Sequence, residues 1–137
     1  MTATSIGRSA TPPGAVVLCS NEATAATVVY WLRKLGVVTN VAINGYRARE
    51  MLLESPARLL ITDRALPPWP GLDTLNALKQ EFSSLKVAVV DDGVPDNRTL
   101  ARSAGADIIL ARPLRISNLV EACKASDIAA GDIECGP

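Results

Sequence analysis

Two aspartates close short apolar runs: Asp63 follows Arg58-Leu-Leu-Ile-Thr62, and Asp91, with Asp92 beside it, follows Lys86-Val-Ala-Val-Val90. A third such run, Ala15-Val-Val-Leu-Cys19, ends in the neutral pair Ser20-Asn21 with Glu22 next in line. Carboxylates gathered at strand ends can share a proton, hold a cation between them, or divide acid and base roles. Arg112 offers a fixed cation for such a cluster, since a planar guanidinium grips a carboxylate bidentately. The chain has no histidine, which removes Ser-His-Asp and Cys-His catalysis, His-ligated zinc and any phosphohistidine. Cys19, Cys123 and Cys135 form no CxxC pair, and their odd number suits a reducing cytoplasm better than a disulfide framework. Cys19 lies in an apolar run and is expected to be a small core residue; Cys135 sits in a polar end segment as a candidate exposed thiol.

The elements that must position these residues alternate along the chain. Strands are expected at 15–19, 37–43, 58–62, 86–90 and 107–110, and helices at 22–35, 46–54, 72–82, 96–104 and about 117–126. The first helix carries Ala25, Val28, Val29, Leu32 and Leu35 at helical spacing and is stopped by Gly36. Apolar strands separated by helices indicate a parallel sheet covered on both faces. In such a sheet ligands bind beyond the carboxyl ends of the strands, where the three polar strand ends would gather. The expected organisation is one domain over 15–126 between polar tails at 1–14 and 127–137.

Composition narrows the function. Fourteen basic and 14 acidic side chains give zero net charge, and no run of like charge appears. That speaks against a nucleic-acid partner, which needs excess Lys and Arg. No apolar stretch approaches the ~20 residues of a membrane span, and residues 1–14 lack the apolar segment of a secretory signal. No GxGxxG follows the first strand, and no P-loop is present.

In order and spacing these features resemble the receiver domain of two-component response regulators. The segment Leu59-Leu-Ile-Thr-Asp63-Arg-Ala-Leu-Pro67-Pro-Trp-Pro-Gly71-Leu is similar to the family's phosphoacceptor segment. Gly105-Ala-Asp107 matches the family's Gly-Ala-Asp before strand five, and Arg112-Pro113 stands at its Lys-Pro. The resemblance covers about residues 15–126. It implies a flavodoxin-like, three-layer, doubly wound five-stranded parallel sheet of order 2-1-3-4-5 with five helices. It also implies Asp63 as the phosphoacceptor position, Mg²⁺ beside it, and a cis Arg112–Pro113 bond.

The sequence departs from that pattern at the chemical positions. The acidic pair that holds Mg²⁺ in the family is Ser20 and Asn21 here, so two negative charges leave the metal site. A weak Mg²⁺ site, or none, is expected over Asn21, Asp63 and Asp91. The phosphate-contacting Thr or Ser after strand four is Asp91, which would repel a phosphoryl oxygen. The switch aromatic in strand five is Ile109, and Arg112 replaces the phosphate-binding Lys. An ion pair of Arg112 with Asp63 or Asp91 would fill the site without phosphate. Pro68 and Pro70 stiffen the loop around Trp69, which is a candidate anchor for a partner or a residue folded back on the third helix. Trp31 raises the same choice, with packing favoured.

The expectation is a stand-alone, non-enzymatic receiver-like module of phosphorelay signalling, a pseudo-receiver working through protein contacts in the cytoplasm. Its partner would be a histidine kinase or downstream regulator, and the fourth helix, fifth strand and fifth helix offer a face for a homodimer. One alternative is an active but atypical receiver phosphorylated on Asp63 by a histidine kinase. Another is a small-ligand-binding or enzymatic domain on the same frame, with Asp63 and Asp91 as the acid–base pair.

Overall fold

The computed structural model describes residues 14–19, 21–54, 57–63, 74–91 and 105–128. Five strands, β1 (Gly14–Leu18), β2 (Thr39–Val41), β3 (Ala57–Thr62), β4 (Lys86–Val90) and β5 (Ile108–Leu110), form one sheet. Every pairing is parallel and the order is β2-β1-β3-β4-β5, as the resemblance implied. The helices among the described residues are α1 (Glu22–Lys34), α2 (Gly45–Glu54), α3 (Thr74–Glu81) and α4 (Ile116–Ala125). The helix expected at 96–104 lies outside the described residues.

Strand residues alternate between two cores, because successive side chains leave a strand on opposite faces. On one face Ala15, Val17, Leu59, Ile61, Ala88 and Val90 pack with residues of α1 and α4, including Val28, Leu32, Leu119 and Cys123. On the other, Val16, Leu18, Leu60, Val87 and Val89 meet Ala48, Leu52 and Leu78 of α2 and α3. The central strands are therefore apolar at nearly every position, which is why they read as continuous runs rather than alternating ones.

Several expected boundaries move, each for a local reason. Gly14 belongs to β1 and not to the tail: a Cβ there would come 2.5 Å from the Val38 carbonyl oxygen, so the strands approach closely only because the residue is glycine. β2 is shorter than 37–43, because the Val37 amide closes α1 by donating to the Leu32 carbonyl while Gly36 turns the chain at φ 80°. At the other end the core runs past Ser126. Asp127 takes a φ of 59°, and Ile128, expected in the tail, folds back into the core beside Cys123.

The amino edge explains the Gly-Ala-Asp segment. Gly105 has a φ of 113°, a conformation that favours glycine. Asp107 accepts the Val87 amide at 2.9 Å and pairs with Lys79 at 2.6 Å, and Lys79 also donates to the Gly105 carbonyl. One carboxylate thus ties α3 to the start of β4 and the entry to β5, on the edge opposite the polar strand ends.

Candidate functional site

The strand register decides which residues meet at the carboxyl edge. Leu18 pairs with Thr62, so Cys19 and Asp63 are neighbours one step beyond. Thr62 pairs with Val89, which sets Asp63 beside the end of β4, and Val90 pairs with Leu110, which brings Asp91 to the end of β5. Asp63 is buried, at 8% exposure, and its Oδ2 accepts the backbone N–H of Asn21 at 2.8 Å.

Asn21 is the N-cap of α1. Its backbone is extended and its Oδ1 accepts the Thr24 amide at 3.0 Å, satisfying one of the helix's orphan donors. Asparagine here does two jobs: the amide oxygen holds the helix start, and the backbone N–H holds Asp63. The bond to Asp63 spans 42 residues of sequence and leaves no local trace in it.

Arg112 stands after β5, joined to Pro113 by a cis bond as expected. Its Nε donates to the Asp91 carbonyl oxygen at 2.8 Å and a terminal nitrogen donates to the Thr24 hydroxyl at 3.1 Å. The guanidinium therefore bonds neutral oxygens, a backbone carbonyl where the sequence suggested the carboxylate of the same residue. Thr24, buried at 5% exposure, is a site residue that sequence reading missed. A threonine in the first turn of an amphipathic helix carries no local signal that a cation will reach it from position 112.

Cys19 is the other surprise. It packs against the core as expected, yet its sulfur also senses the site. Burial, and then the charge of Asp63, push its thiol from the ordinary 9.0 up to about 12, against a smaller opposing pull from Arg112 and a bond from the Asp63 amide. Burial and the Asp63 carboxylate thus hold the thiol protonated. Ile109 is half-buried and packs on the α2–α3 side of the sheet. Trp31 is half-buried against the other core and meets Tyr30 edge-on at 5.3 Å. Ser20, Asp92, the loop from Pro67 to Gly71 and with it Trp69 lie outside the described residues.

The same frame recurs among known proteins. Residues 16–124 match the family model described as the response regulator receiver domain. The chain belongs to that family. Two curated relatives agree: the hybrid signal transduction protein dokA of Dictyostelium discoideum, 28% identical over 86% of this chain and 7% of its own length, and the response regulator protein PilR of Pseudomonas aeruginosa, 33% identical over 66% of this chain and 20% of its own length. The chain spans a small fraction of both. A putative response regulator from Chloroflexus aurantiacus, solved by crystallography, shares the fold with a TM-score of 0.70 and 22% identity, over 83% of this chain and 97% of the other.

Receivers are signalling modules of two-component and phosphorelay systems, and they bind Mg²⁺ at the site of phosphorylation. Around Asp63 the described residues offer that ion few ligands. Mg²⁺ takes carboxylate oxygens and water in a near-ideal octahedron. Asn21 spends its amide oxygen on the cap, and one Asp63 oxygen already holds a backbone N–H. Among the described residues no group of three His, Cys, Asp or Glu side chains gathers around a common point. No helix among them is long and apolar enough to cross a membrane.

Proposed function

We propose that this receiver is a pseudo-receiver, which signals through protein contacts without an acyl phosphate on Asp63. The observation that carries the proposal is the bond from the Asn21 amide to Asp63 Oδ2, made by a residue whose side chain is committed to capping α1. Where the family holds a cation against the phosphoacceptor, this chain holds one of its own N–H groups. A phosphoryl group needs positive charge to offset its oxygens during transfer. With Ser20 and Asn21 in place of the acidic pair, that charge loses its anchor. Arg112, bonded to Asp91 and Thr24, joins the ends of β4 and β5 to the first turn of α1 and occupies the place of the phosphate-binding lysine. The partner is a protein of the same signalling class, a histidine kinase or a downstream regulator.

A second reading keeps the chemistry. Asp63 stands at the end of β3, beside the carboxyl ends of β1 and β4, where an atypical but active receiver would be phosphorylated by a histidine kinase. Acetyl phosphate with Mg²⁺, followed by intact mass, separates the two. We expect no adduct under conditions that label an ordinary receiver. A phosphate adduct that Asp63→Asn abolishes would overturn the proposal and establish phosphorylation at Asp63.

A further inference from the structure

Asn44 stands immediately before α2, and it alone among the asparagines is followed by glycine. An Asn-Gly pair carries its own chemistry. With no Cβ to hinder it, the glycine nitrogen can reach the asparagine side chain and close a ring on it.

The structure decides when that approach is open. Asn44 caps α2: its Oδ1 accepts the Arg47 amide at 2.8 Å and its carbonyl accepts the Ala48 amide at 3.0 Å. A carboxamide tied to Arg47 is not free to rotate onto the Gly45 nitrogen, and Gly45 itself is buried. Water is nonetheless close by. Asn44 is half-exposed, and Ile43 and Tyr46, on either side of the pair, are 81% and 68% exposed. The cap holds the end of a short helix, and helix ends open at far lower cost than the core.

We infer that Asn44 is a site of covalent modification, which deamidates through a cyclic imide when the first turn of α2 opens. The Gly45 nitrogen attacks Cγ of Asn44, the carboxamide C–N bond breaks, and ammonia leaves carrying the amide proton. Water then opens the imide at one of its two carbonyls, giving aspartate or isoaspartate. The products differ in what they do to the fold. Aspartate keeps the main chain and puts a carboxylate before a first turn that holds no acidic residue, a placement the helix dipole favours. Isoaspartate routes the main chain through the side-chain carbon and lengthens it between two anchored points, the Ala42 amide on the Val17 carbonyl and Ala48 in the core. It cannot cap α2 with the same pair of bonds. The inference does not depend on whether Asp63 is phosphorylated.

The test compares the native full chain with the same chain unfolded in guanidinium chloride, at equal temperature and pH. Samples withdrawn over time are digested with trypsin, and conversion at 44 is read by tandem mass spectrometry. The same peptide carries Asn40, whose next residue is the β-branched Val41, as an internal control. The expected result is conversion at 44 and not at 40 in both states. The native rate should be about two- to thirtyfold the lower, the factor by which an asparagine cap of ordinary strength closes a helix start. Asn44→Ser keeps a capping oxygen and should abolish the conversion. Asn44→Asp should keep the circular-dichroism spectrum and a denaturant midpoint at least equal to that of the parent. Equal rates in the two states would overturn the gating by the cap. A native rate lower by more than about a hundredfold would mean that the domain must come apart before the ring can close, and would overturn Asn44 as a site of the folded protein.

Discussion

Cys19 reports on the charges around Asp63, and its reactivity can be worked out before it is measured. Only the thiolate attacks an alkylating reagent. Burial, followed by the Asp63 charge, raises the thiol from 9.0 to about 12. Raising a pKa by one makes the ionised form tenfold scarcer, so at neutral pH the Cys19 thiolate is about a thousandfold rarer than that of an ordinary cysteine. The assay is a timed pulse of iodoacetamide at several pH values, with Cys19 occupancy read by peptide mass spectrometry. Its rate should still be climbing at about pH 10, where an unperturbed thiol has levelled off. The two charged neighbours then give opposite signs. Asp63→Asn removes a charge that raises the thiol and should speed alkylation; Arg112→Gln removes one that lowers it and should slow alkylation. Because the native thiol keeps a proton that the unfolded chain releases, its contribution to stability is whole below pH 9 and is lost as pH rises toward 12. The loss is about 1.4 kcal/mol for each step of one in pH over that window. An inflection near pH 9, or variants at 63 and 112 that move the rate in the same direction, would refute the opposed action of these two charges on the sulfur.

Two further predictions test the bonds that hold the edges of the sheet. Thr24→Val should cost about 0.5–1.5 kcal/mol in denaturant unfolding, since it removes the hydroxyl that accepts from Arg112 and leaves α1 capped; no loss of stability would place the guanidinium elsewhere. Asp107→Ala should cost about 1.5–3 kcal/mol, because the Val87 amide and the Lys79 ammonium lose one shared acceptor; a cost equal to that of Lys79→Met alone would mean the amide bond contributes nothing.

The frame of this receiver is legible in its sequence because burial on both faces of the sheet leaves a plain trace. Runs such as Leu59-Leu-Ile61 and Val87-Ala-Val-Val90 are apolar throughout since alternate residues serve different cores. Positions set by a single close approach leave no such trace. Gly14 reads as the last residue of the polar tail until the Val38 carbonyl is seen against it. Ile128 reads as tail because the turn at Asp127 that returns it to the core is a matter of one dihedral angle. At the site the residue types were legible and their partners were not. Nothing local distinguishes an arginine that bonds the side chain of Asp91 from one that bonds its carbonyl, and Thr24 is 88 positions away from Arg112.

The changes at the carboxyl edge make one consistent exchange if the pseudo-receiver reading holds. In a phosphorylated receiver the ends of β1, β3, β4 and β5 are drawn together by groups that come and go, a divalent ion and a phosphoryl group. In this chain bonds of its own span the same ends. Asn21 joins the start of α1 to Asp63 after β3, and Arg112 joins the end of β5 to the end of β4 and, through Thr24, to α1 again. None of these contacts needs a second charge of either sign, so losing the acidic pair at 20 and 21 costs them nothing. A ligand shifts a two-state equilibrium only by its differential affinity for the states. Bonds that belong to the chain itself are always present, and they bias the edge toward one arrangement. The edge then has no dependence on a phosphodonor, and what remains to regulate is which protein the receiver meets.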